Sequence, residues 1–170
     1  MAEKTETGKE KKQVSKKEVQ RKETSKPAEG QPLAVVQVRG TVKARRPIID
    51  TLRMLNLGRQ NQCVILSATA SNKGMLMKVK DYVTWGEVTP EMHKEVIAKR
   101  GRIFLGQATD RKKKYSYLAL EFQGKKYLPY FHLNPPSGGY GKRGIKMSYA
   151  MGGALGYRKD KIKALLQRMR

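Results

Sequence analysis

The chain has 170 residues and a formal net charge of +23, from thirty-seven Lys and Arg against fourteen Asp and Glu. That is well beyond the ~2–8 charges of an ordinary small domain, and the positive sign points to a polyanionic partner. No apolar run approaches the ~20 residues that span a bilayer. The opening residues MAEKTETGKEKK lack the apolar stretch of a secretory signal, so a soluble cytoplasmic protein is expected. The single cysteine, Cys63, excludes an internal disulfide framework, and no Cys/His cluster has zinc spacing.

Residues 1–32 hold nine basic and six acidic side chains and no Leu, Ile or aromatic residue. Such a segment buries too little surface to offset the entropy of ordering, and a charged flexible tail or fraying helix is expected. The remaining +20 lies on residues 33–170, the part that folds. LAVVQVRG, from Leu33 to Gly40, is β-branched and partly alternating and reads as a strand. After TVKARR, Pro47 suits a helix start, and Ile48, Ile49, Leu52 and Leu55 recur on one face until Asn56 and Gly58 stop the run. Cys63 to Ala68 reads as a covered strand, Ser71 or Asn72 as the cap of a second helix, and Tyr82 to Val88 as a third strand. Residues 33–88 thus spell β-α-β-α-β, with helices layered on one small sheet. Helical crossovers alone favour parallel strands.

Residues 89–170 read as an extension that helps a marginal core. Thr89, Pro90 and Glu91 open a helix with a Met92, Val96, Ile97 stripe, closed by Lys99, Arg100 and Gly101. YSYLALEF and KKYLPYFHL flank Gln123-Gly124 as a hairpin, with Pro129 confining the second run to an edge. A glycine-rich loop over 134–156 leads to a basic helix near 158–170, striped by Ile162, Leu165, Leu166 and Met169.

Enzymatic constellations fail on spacing. Gly139, Gly141 and Gly144 fit G-x-G-x-x-G, but Asn134-Pro135-Pro136 precedes them where a dinucleotide site needs a strand. Arg143 follows Gly141-Lys142 where a phosphate-binding P-loop needs Ser or Thr. His93 and His132 lie far apart in sequence with no acid pair beside either, and Cys63 has no adjacent cation, so no catalytic residue, cofactor, metal or small-molecule substrate is expected. The basic clusters carry more. Arg39, Lys43, Arg45 and Arg46 surround a strand-to-helix turn, where free helix N–H groups favour phosphate. Gly138 and Gly139 allow close approach to a sugar-phosphate chain, beside Tyr140, Lys142, Arg143, Lys146, Arg158 and Lys159. Tyr140, Tyr149 and Tyr157 either stack on unpaired bases or pack back on the fold. A third basic run, Arg111 to Lys114, enters the hairpin.

VRGTVKARR, DTLRMLNLGRQNQC (Asp50–Cys63), GMLMKVKDYVTWGEV (Gly74–Val88), NPPSGG, GIK and GGALGYR occur in one order from residue 33 onward. With these residues the chain resembles the large-ribosomal-subunit protein family numbered thirty in the universal nomenclature and seven in the older eukaryotic one, in its longer archaeal and eukaryotic form. The resemblance leaves residues 1–32 and 106–130 unmatched. It implies an α+β fold: a ferredoxin-like β-α-β-α-β core with a three-stranded antiparallel sheet and a C-terminal extension of helices and hairpin. It further implies a non-catalytic ribosomal protein in the cytoplasm that binds large-subunit ribosomal RNA near the 5S RNA, beside other ribosomal proteins and no membrane. Arg59, within the LGRQNQC stretch, joins the expected RNA contacts. Ala154 stands where many relatives have an acid, and Ala44-Arg45-Arg46 departs from the bacterial turn. A free nucleic-acid-binding protein, an RNA chaperone or chromatin factor, is the alternative that charge alone permits.

Overall fold

The computed structural model describes residues 31–106 and 119–170. The expected tail up to residue 30, the Arg111–Lys114 run and the start of the first hairpin run, to residue 118, lie outside the described residues. Strand β1 (Pro32–Gln37) is central, and five of its six residues are buried. It continues into α1 (Arg46–Met54), which carries a proline in its first turn. β2 (Gln62–Ser67), α2 (Ala70–Lys78) and β3 (Val83–Glu87) follow.

Strand β1 pairs antiparallel with β2 on one side and with β3 on the other, so Val35 faces Val64 and Trp85. This is the three-stranded antiparallel sheet that the resemblance implied and that helical connections alone did not favour. The reason lies in the order. The α1 connection leaves β1 and enters β2 at one end of the sheet. The true crossover, α2, joins β2 to β3, which run parallel to each other with β1 between them. The cap of α2 is Thr69 rather than Ser71 or Asn72: its Oγ1 accepts from the Asn72 N–H at 3.3 Å. Asn72 instead donates its side-chain amide to the Ser67 carbonyl at 2.9 Å, tying the helix to the strand before it.

Helix α3 (Pro90–Arg100) follows Thr89 as expected. Gly101 ends it at φ −63°, outside the left-handed region of a glycine cap. Its lack of a side chain serves packing, because a Cβ there would lie 2.8 Å from the Tyr127 ring. The hairpin forms from β4 (Leu120–Phe122) and β5 (Lys125–Tyr127). Its two turn residues, Gln123 and Gly124, both take positive φ, 51° and 72°, as the tight hairpin turn requires. Beyond Pro129 the second run divides. β6 (Tyr130–His132) leaves the hairpin and pairs with β2 at the edge of the main sheet, with Phe131 opposite Cys63. Proline has no N–H to give a ladder, so the break falls where no bond is lost.

Strand β7 (Gly156–Tyr157) adds to the far edge, parallel to β3. The sheet therefore has five strands in the order β6-β2-β1-β3-β7. One face carries Leu33, Val35, Val64, Val83 and Trp85 against Leu52, Leu55, Leu76 and Val79 of the α1 and α2 region. The other carries Ala34, Val36, Cys63 and Phe131 against Met92, Val96 and Ile97 of α3 and the stripe of α4 (Ile162–Met169). Helices thus cover both faces, and the segment after residue 88 supplies the second cover. α4 begins four residues later than expected, after a 3-10 turn over Lys159–Lys161. That turn sits on Gly86 of β3, where a Cβ would come within 2.8 Å of Ile162 Cβ and closer still to the Lys159 carbonyl.

Candidate nucleic-acid interface

The basic segments are separate in sequence and meet at one end of the sheet, where β1 stops and β2 and β3 start. The N–H groups of Val38 and Arg39 both donate to the Tyr82 carbonyl, at 2.9 and 3.1 Å, and the Asn61 N–H donates to the Gln37 carbonyl at 2.8 Å. Val38 is fully buried against Ala154, Leu155 and Tyr140 of the glycine loop. The Tyr140 hydroxyl donates to Asn61 Oδ1. The turn after β1, the turn before β2 and the glycine loop are therefore one packed unit.

Within the first turn, Arg39 is half-buried. Its guanidinium donates to the Asp81 carbonyl at 3.1 Å and lies 5.0 Å over the Tyr82 ring. Lys43, Arg45 and Arg46 are exposed, and Lys43 sits at φ +61° in a turn closed by Ala44 N–H on the Thr41 carbonyl. Arg45 caps α1 with its backbone: its carbonyl takes the N–H groups of Ile48 and Ile49, and no acid stands in the first helical turn. Among the described residues Arg46 pairs with Asp50, at 3.8 Å in solvent, a contact of little strength.

The glycine loop is a built structure. The N–H groups of Gly153, Ala154 and Leu155 turn back onto the Ser148 and Met147 carbonyls, and the Tyr149 N–H donates to Leu155 at 2.7 Å. Gly153 is required by close approach, since a Cβ there would be 2.6 Å from Met147 Cβ. Gly138 and Gly139 are exposed at φ +75° each. Lys142, Arg143, Lys146 and Lys159 are exposed on and beside this loop.

Arg158, expected among the RNA contacts, is instead buried. It is 5% exposed, and its guanidinium is committed inside. Nε donates to Thr84 Oγ1 at 2.8 Å, and Nη2 donates to the carbonyls of Ala154 at 2.9 Å and Tyr140 at 3.2 Å. The Tyr149 ring lies 4.4 Å from its centre. It binds the glycine loop to β3 and is not available to RNA. Tyr140 likewise packs inward. Burial pushes its phenol up to about 12, with Arg158 pulling the other way. The Tyr157 hydroxyl donates to Glu87 at 2.6 Å. Packing back on the fold is thus the arrangement for all three tyrosines, and Tyr140 turns its ring to the core rather than to an unpaired base. Cys63 is fully buried, and burial raises its thiol to about 12. No helix follows directly on Gly139, Gly141 and Gly144, which sit in this loop.

Arg59 is exposed and lines an open cleft of about 530 Å³ with Arg53, Arg102, Tyr130 and His132. Sequence reasoning missed the other members, because Arg53, Arg102 and the Tyr130–His132 strand converge only through the pairing of β6 with β2.

Residues 33–83 match the family model described as ribosomal protein L30p/L7e. The chain is 43% identical over 148 residues to the large ribosomal subunit protein uL30 of Methanopyrus kandleri, covering 78% of this chain and 99% of that one. It is 41% identical to uL30 of Nanoarchaeum equitans, covering 79% and 96% of the two chains, and 41% identical to uL30 of Methanococcus maripaludis, covering 80% and 97%.

Proposed function

As the chain belongs to the ribosomal protein L30p/L7e family, in its long archaeal form, we propose that it binds large-subunit ribosomal RNA near the 5S RNA, through phosphate contacts and insertion of its glycine loop. The chain is a structural component of the large ribosomal subunit in the cytoplasm and not an enzyme. The observation that carries the RNA reading is the convergence of exposed cations at one end of the sheet. Lys43, Arg45, Arg46, Arg59, Lys142, Arg143 and Lys146 stand on turns that are hydrogen-bonded or packed to one another. A rigid group of point charges selects folded RNA by shape, while each neutralised phosphate releases counterions. Gly138 and Gly139, both exposed, present backbone rather than side chain on the glycine loop, the form needed to enter between RNA helices. The neighbourhood of the 5S RNA rests on the family resemblance, and neighbouring ribosomal proteins complete the set of partners.

Titration of the full chain with large-subunit ribosomal RNA over increasing salt tests this. The logarithm of affinity should fall linearly with the logarithm of salt, with a slope of about −0.7 to −0.9 for each phosphate held. A flat dependence overturns the proposal. Retention on isolated large subunits through a high-salt wash is the second expected result; a free RNA chaperone or chromatin factor would wash off.

A further inference from the structure

Three chain segments meet at the open cleft lined by Arg59: residues 53–62, Arg102 and β6 itself. Arg53 comes from the last turn of α1, Arg59 from the turn before β2, and Arg102 from the stretch after α3. Arg102 is held in place by its backbone, whose carbonyl accepts the Leu128 N–H at 3.0 Å. Tyr130 and His132 form the aromatic wall, with ring centres 5.3 Å apart in an edge arrangement. Among the described residues no carboxylate lines the cleft. Arg53 has Asp50 at 4.0 Å, but among the described residues neither Arg59 nor Arg102 has an acid within ion-pair distance. Three like charges gathered around one hollow repel one another and gain stability from an anionic occupant. Burial first, and then the nearby Arg102 and Arg59, lower the His132 pKa.

At about 530 Å³ the cleft falls within the ~300–1,000 Å³ range of sites that hold a small organic ligand. Phosphate alone would not use an aromatic wall, and a duplex would not enter so small a hollow. RNA-binding sites that combine arginines with Tyr or His rings take unpaired bases, the ring stacking and the guanidinium pairing phosphate; here both rings are half-buried, anchored in β6.

We propose that this cleft holds one unpaired nucleotide of large-subunit ribosomal RNA, its flanking phosphates on Arg53, Arg59 and Arg102 and its base against Tyr130 and His132. The proposal rests on the ribosomal RNA reading above and adds to it a specific subsite.

The test uses the full chain and unmodified large-subunit ribosomal RNA, irradiated at short wavelength so that any of the four bases can cross-link, at about 0.15 M salt. Ultraviolet cross-linking should attach RNA to the peptide containing Tyr130 and His132. Arg59→Gln with Arg102→Gln should weaken binding about tenfold or more and make the salt slope shallower by about one to two, with the melting temperature unchanged. His132→Ala should lower affinity about fivefold or more while leaving the salt slope as it was. If the wild-type chain binds no large-subunit RNA, both the subsite and the wider reading fall. If it binds with a steep salt dependence, but the variants bind as well as wild type and cross-links lie elsewhere, the subsite alone falls. Loss of affinity in the arginine variant with no cross-link at 130–132 also overturns the nucleotide pocket, leaving those arginines as general phosphate contacts.

Discussion

Arg158 follows Gly156-Tyr157 in a basic, glycine-rich stretch, where charge alone assigns it to a ligand. Its position gives it another task. Three hydrogen bonds and one aromatic face surround the guanidinium, so the residue links β3, the glycine loop and Tyr149 with one planar fork. Arg158→Met removes these bonds and leaves the Thr84 hydroxyl and two carbonyls without that donor. A loss of about 3 kcal/mol of stability is expected. Arg158→Lys should recover little of it, because an ammonium cannot span the three acceptors. Urea denaturation of both variants checks the cost, and RNA affinity corrected for the folded fraction should stay at the wild-type value. Lys142, Arg143 and Lys146 carry the same charge but stand in solvent. The difference is one of geometry, and residue type does not contain it.

Among the elements, α4 is one whose buried face could be read from its own pattern. Ile162, Leu165, Leu166 and Met169 form a single stripe, and all four are buried. What it packs on was not legible, because the docking site depends on a glycine in another element. Gly86 of β3 leaves room for the Lys159 carbonyl and for Ile162, which is fully buried. Gly86→Ala should therefore lift the 3-10 turn and the start of α4 away from the sheet. The expected cost is about 1–3 kcal/mol. Thermal unfolding measures it, and hydrogen exchange should show faster opening of α4 than of β1. The hairpin gives a complementary lesson. Gln123-Gly124 was legible as its turn, but the passage of β6 into the main sheet was not. Only the pairing of Phe131 with Cys63 decides which edge the strand joins.

For the whole molecule, the +23 charge and the buried titratable groups make opposite demands at high pH. Loss of lysine charge relieves repulsion above pH ~10. Meanwhile the folded state resists ionisation of Cys63, raised from 9.0 to about 12, and of Tyr140 and Tyr157, each raised from 10.0 to about 12. Burial is the first cause in all three, and Tyr157 adds its bond to Glu87. A group whose folded pKa is raised contributes stability that is complete below its unfolded pKa and is lost as pH rises toward the folded one. Urea midpoints should therefore hold to about pH 9 and fall between pH 9 and 12. Tyr140→Phe with Tyr157→Phe should make that fall shallower. The sequence by itself determined the charge, the β-α-β-α-β order and the apolar stripes, because these follow from composition and from periods of two and 3.6 residues. The ordered motifs from residue 33 onward also marked the family. The tertiary structure alone decided which cations face solvent, how five strands are ordered, and that Arg53, Arg59 and Arg102 share one cleft. Those outcomes depend on pairings and close approaches between distant segments, whose energies no local pattern carries.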